Sequence, residues 1–158
     1  MLIIIDGYNL LRFIQKNTDN GEFLTDSKMC GLISHYLKLK KQSGTVVFDG
    51  IGPRDKTLLS NIDALEVIFS GTKYEADDII EELICEYSAP KMLIVVSNDR
   101  RIISQAKKKK STSKNCAEFW DEVIETIKKS AKKNSEPPEK RKGITESETK
   151  LWLEEFGL

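Results

Sequence analysis

Three apolar runs in this chain end on an aspartate: Leu2-Ile3-Ile4-Ile5-Asp6, Thr45-Val46-Val47-Phe48-Asp49, and Met92 through Val96 followed by Ser97-Asn98-Asp99. Short unbroken aliphatic runs read as strands buried on both faces, as in a parallel sheet. Parallel strands deliver their last residues to one edge, where open α/β folds keep their ligand crevice. Three carboxylates gathered there repel one another unless a cation stands between them. Oxygen donors without His or Cys suit Mg²⁺ or Mn²⁺ rather than zinc. Such an ion polarises a phosphoryl oxygen and acidifies water, so phosphodiester hydrolysis is the natural chemistry. Asp77 and Asp78 add a further acidic pair that can lean toward the same edge.

The elements that must position these acids follow from periodicity and turn residues. Gly7 allows a tight turn into a short helix over Tyr8 to Gln15, and a longer helix spans about Thr25 to Gln42, stopped by Ser43-Gly44. Leu65 to Phe69 reads as another strand. Ala76, Ile79, Ile80, Leu83, Ile84 and Tyr87 form one helical stripe, with Thr72 and Glu75 as a capping box that starts it. A short helix follows Asp99, and another covers about Ala117 to Lys129. Strands alternating with helices argue for a three-layer α/β domain with a mostly parallel central sheet. Residues 1–133 form this domain, 134–144 a charged linker containing Pro137-Pro138, and 145–158 a short amphipathic helix bearing Leu151, Trp152, Leu153 and Phe156.

The 158 residues carry 25 basic and 25 acidic side chains, so net charge gives no nucleic-acid signal. Its distribution does. Residues 1–99 hold 10 basic and 15 acidic groups, whereas residues 100–142 hold 14 and 6. An acidic body beside a basic segment, Lys107 to Lys110 and Lys128 to Lys133, suits a metal site near a polyanion-binding surface. Cys30, Cys85 and Cys116 have no ligand-like spacing and read as small buried hydrophobes in a reducing compartment. No apolar run reaches membrane length and no leader pattern opens the chain, which points to the cytoplasm. His35, the sole histidine, reads as a surface residue beside an apolar stripe, so a Ser-His-Asp mechanism has no support. Neither a P-loop nor a dinucleotide fingerprint occurs.

Ile5-Asp6-Gly7-Tyr8-Asn9-Leu10-Leu11 carries a resemblance, continued in order by Val47-Phe48-Asp49-Gly50, Glu75-Ala76-Asp77-Asp78-Ile79-Ile80 and Val96-Ser97-Asn98-Asp99. The chain resembles the NYN domains of the PIN-like nuclease superfamily, and within them the YacP-like branch, over about residues 1–130. The resemblance implies a PIN-like, Rossmann-like fold and a metal-dependent endoribonuclease. It implies Asp6, Asp77 and Asp99 as ligands of Mg²⁺ or Mn²⁺, Asp78 as a further ligand or water-positioning group, and Asn9 as a partner of a ligand carboxylate or a substrate phosphate. Asp49, Ser97 and Asn98 would line the site, and Arg12, Arg54, Arg100 and Arg101 flank the blocks where phosphates would lie. RNA is the implied partner, free or at the ribosome, with the protein a monomer or homodimer. The alternative reading of the chain is a non-catalytic RNA- or ribosome-binding module on the same fold.

Overall fold

A computed structural model describes residues 1–18, 24–54, 59 and 62–133; the linker and terminal helix expected over 134–158 lie outside these described residues. The order is β1 (Leu2–Asp6), α1 (Gly7–Asn17), α2 (Asp26–Lys40), β2 (Ser43–Phe48), β3 (Leu65–Phe69), α3 (Ala76–Glu86), a 3₁₀ turn (Pro90–Met92), β4 (Leu93–Val96), α4 (Arg100–Lys108), β5 (Thr112–Lys114) and α5 (Cys116–Lys133). All strand pairs are parallel, in the spatial order β3-β2-β1-β4-β5. The sheet therefore grows outward from β1 in one direction, then resumes on its other side at β4. That reversal is a topological switch point, and the strand ends of β1 and β4 flank the crevice it creates.

The buried aliphatic runs serve two cores because successive strand residues face opposite sides. Ile3, Ile5, Val46, Phe48 and Val96 meet α1, α2 and α5 on one face. Ile4, Val47, Leu93 and Val95 meet α3 and α4 on the other, through Ala76, Ile80, Ile84, Ile102 and Ala106. The three-layer reading is thus the observed architecture. β5 was not legible: its three residues, Thr112-Ser113-Lys114, are polar and sit at the sheet edge, where no apolar run is needed.

Several local readings change. Gly7 is helical and makes no turn; a Cβ there would come within 2.5 Å of the Phe48 ring, so the glycine is needed for close approach of α1 to β2. The second helix stops on Lys41 in the left-handed region (φ 54°), and Ser43-Gly44 opens β2 instead. α3 starts three residues later than the Thr72 box predicts: Glu75 is its N-cap, and Asp78 Oδ2 accepts the Glu75 backbone N–H at 3.0 Å. Cys30 and Cys116 are buried, but Cys85 is exposed, because it lies on α3 off the stripe that meets the sheet. His35 is half-buried, and burial together with Lys38 lowers its pKa.

Candidate active site

Asp6 is the last residue of β1, and the pairing of Ile5 with Val96 sets it beside Ser97, the residue after β4. Both are buried, Ser97 completely. Ser97 Oγ donates to Asp6 Oδ2 at 3.2 Å and accepts the Asp99 N–H at 3.0 Å. Asp99 is the N-cap of α4, with its carboxylate accepting the Arg101 N–H at 2.9 Å. One hydroxyl thereby links the Asp6 carboxylate to the backbone of Asp99 at the ends of two adjacent strands.

Asp77 comes from the first turn of α3, across the crevice. Burial, repulsion from Asp99 and a hydrogen bond shared with it raise its pKa, against the pull of Arg101. Asp6 is raised to about 6, by burial first and then by the charge of Asp77, with a smaller push from Asp99; hydrogen bonding from Ser97 and the Asn9 backbone holds it lower than burial alone would. The three acids therefore feel one another. Yet among the described residues no three His, Cys, Asp or Glu side chains are gathered closely enough to cage a metal ion by themselves. Their chemistry fits a hard divalent cation as an open set of oxygen donors. Mg²⁺ is commonly held that way, by one or two carboxylates with water and phosphate oxygens completing the shell.

The crevice has a volume of about 500 Å³ and a second, basic wall. Tyr8, Arg12 and Lys16 of α1 line it, each one turn from the next. Arg12 stands 5.9 Å from the Tyr8 ring centroid, and Tyr8 in turn packs on Phe48 at 4.9 Å. The sequence reading missed Tyr8 and Lys16; their i, i+4 spacing with Arg12 was the available signal.

Asn9 and Asn98 also line the crevice. Asn9 Oδ1 accepts the Asn98 N–H at 2.9 Å and the Cys116 thiol at 3.2 Å, and Asn98 Oδ1 accepts the Cys116 N–H at 2.8 Å. Both partners of Asn9 Oδ1 are donors, which fixes the amide orientation and leaves its NH₂ on the opposite side. The asparagine pair thus ties α1, the β4 end and the start of α5 together. Burial and the charge of Asp6 push the Cys116 thiol up to about 12, so it stays protonated and able to donate.

Other predicted residues fall elsewhere. Asp78, the capping-box partner of Glu75, also meets Arg101, whose guanidinium lies 3.1 Å from it and 2.7 Å from Glu81. These contacts hold the Asp78 carboxyl below the usual range and hold Arg101 firmly protonated. Arg101 therefore clamps α4 to α3 rather than standing free for phosphate. Arg54 and Arg100 are exposed and are not among the residues that line the crevice. The lysine runs also lie away from it. α4 leads back from the crevice edge over about 13 Å to Lys107 and Lys108, and α5 over about 27 Å to Lys133. Both runs end toward the opposite edge of the sheet, away from the acids.

A model of the YacP-like NYN domain matches residues 3–156. The chain belongs to that family. The match extends well past the 1–130 region in which the four motif blocks fall. Crystal structures of Rae1 (YacP) from Bacillus subtilis share the fold of this NYN domain. One, of a mutant, has a TM-score of 0.65 and 20% identity, covering 99% of this chain and 92% of that one. Another has a TM-score of 0.66 and 18% identity, covering 84% and 79%. No curated protein sequence matches the chain significantly. Among the described residues of this NYN domain, no helix is long and apolar enough to cross a membrane.

Proposed function

We propose that this YacP-like NYN domain is a Mg²⁺- or Mn²⁺-dependent endoribonuclease acting on exposed RNA. The observation that carries the reading is the mutual electrostatic coupling of Asp6, Asp77 and Asp99, delivered by three elements to a switch-point crevice. Asp6, Asp77 and Asp99 would hold the ion. When bound, it supplies positive charge to the phosphate oxygens and acidifies water at neutral pH. Arg12 and Lys16 bind the phosphates of the strand entering along α1, and Tyr8 offers a ring face to a base. Asn9 directs its amide NH₂ away from the asparagine tie, where it can donate to a phosphate oxygen or a ligand carboxylate. Ser97 orients the Asp6 carboxylate by donating to it.

The test is incubation with structured and unstructured RNA, with Mn²⁺ or with chelator, alongside Asp6→Asn and Asp99→Asn. Internal cleavage that needs the metal and is lost in both variants is the expected result; cleavage persisting in chelator or in either variant removes the metal mechanism. The lack of a ready three-acid cage among the described residues favours one second reading, a non-catalytic RNA-binding module. It requires salt-sensitive RNA binding that survives both substitutions with no cleavage under any metal condition.

A further inference from the structure

Asp49 ends the second apolar run and lines the crevice, yet its contacts are with backbone and hydroxyl rather than with the other acids. Its Oδ1 accepts the Ala76 N–H at 3.2 Å and the Ser70 hydroxyl at 3.1 Å. Ser70 Oγ in turn accepts the Gly50 N–H at 2.9 Å, and the Gly71 N–H donates to the Gly50 carbonyl at 2.9 Å. Gly50 and Gly71 both take positive φ (91° and 84°), conformations that let these two turns meet. The ends of β2 and β3 are thereby locked to each other and to the first residue of α3. Ala76 N–H is one of the donors that a helix N-terminus leaves without an internal partner. Asp77 follows it directly.

We propose that Asp49 is a positioning residue: it sets the place of Asp77 by holding the first turn of α3, and its acceptor oxygen rather than its charge is what the site requires. The first turn of α3 then has a division of labour. Asp78 closes the capping box and meets Arg101, Asp49 fixes Ala76 from outside the helix, and Asp77 is left to face Asp99. A direct ligand or phosphate-facing role for Asp49 predicts a different outcome, because either depends on charge.

Asp49→Asn keeps an Oδ1 acceptor for both donors and removes the charge, while Asp49→Ala removes both. Two readouts separate the roles: amide hydrogen exchange over Ala76 to Ile79, and RNA cleavage with Mn²⁺, the latter resting on the ribonuclease reading. Asp49→Ala is expected to speed exchange at least fivefold, the scale of a lost helix cap, and to lower kcat with KM unchanged. Asp49→Asn stays within about twofold of the unsubstituted chain on both readouts. Ser70→Ala, which removes the second donor, moves exchange the same way by less. The proposal is overturned if exchange in Asp49→Ala is unchanged. It is equally overturned if Asp49→Asn loses cleavage as fully as Asp49→Ala does. If the unsubstituted chain cleaves no RNA, the ribonuclease reading fails while the exchange comparison still decides the positioning role.

Discussion

Ser97 donates its hydroxyl to Asp6 across the β1–β4 pairing while accepting the backbone N–H of Asp99. The same oxygen therefore sets the orientation of one carboxylate and the entry of the chain carrying another. Its donation favours the ionised form of Asp6, against burial and the neighbouring acids. Ser97→Ala is accordingly expected to move the acidic limb of the RNA-cleavage pH profile upward. It also leaves the Asp99 N–H without its partner, at a cost of about 1–2 kcal/mol in urea unfolding. A profile that keeps its acidic limb would show that Ser97 does not tune Asp6.

The raised Asp6 pKa makes metal-free stability depend on pH in a definite direction. Folded Asp6 binds its proton up to about pH 6, whereas the unfolded residue releases it near 3.8. The folded state thus holds more protons between these values, and stability falls as pH rises through that window. The penalty is absent below about pH 4 and fully present above about 6, with an upper size of roughly 3 kcal/mol. Asp6→Asn should stabilise the chelator-treated protein at pH 7.5 and not at pH 4, as read by urea unfolding. Added Mn²⁺ should raise Tm more at pH 7.5 than at pH 5. Equal effects of the substitution at both pH values would contradict the burial and repulsion assigned to Asp6.

How far the sequence discloses this arrangement depends on which interactions specify it. The strands announce themselves because both their faces are buried, as Ile3, Ile4 and Ile5 illustrate by dividing between two cores. The order β3-β2-β1-β4-β5 follows from no single run, and β5 carries no apolar signal. Motif blocks located the aspartates but could not assign their partners. Asp77 and Asp78 are adjacent in sequence, yet one faces Asp99 and the other caps its own helix. Arg101 looked available for phosphate until Glu81, twenty residues away, proved to hold it. Such choices are made by tertiary neighbours, which spacing along one element does not encode.

Gly7 illustrates a constraint of packing that resembles one of turn geometry. Since an added Cβ meets the Phe48 ring at 2.5 Å, Gly7→Ala must displace Phe48, which also packs on Tyr8 and Phe69. Overpacking of this kind costs about 1–3 kcal/mol. The expected result is a lower urea midpoint with an unchanged slope. A neutral or stabilising effect, as at an ordinary helical glycine, would show that the aromatic cluster yields freely.

The basic residues separate into those at the crevice and those engaged elsewhere, and RNA binding should reveal the difference. Arg12 and Lys16 face the crevice from α1, so Arg12→Ala and Lys16→Ala should each weaken binding of single-stranded RNA. Each should also reduce the slope of log affinity against log salt by about 0.7, the value for one phosphate contact on a single strand. Arg101→Ala removes contacts to Asp78 and Glu81 instead. These ion pairs are solvent-accessible, so their loss should change stability little, and the salt slope should not change. Filter binding across a salt series distinguishes the three variants. A slope reduced by Arg101→Ala and untouched by Arg12→Ala or Lys16→Ala would place the RNA along α4 rather than along α1.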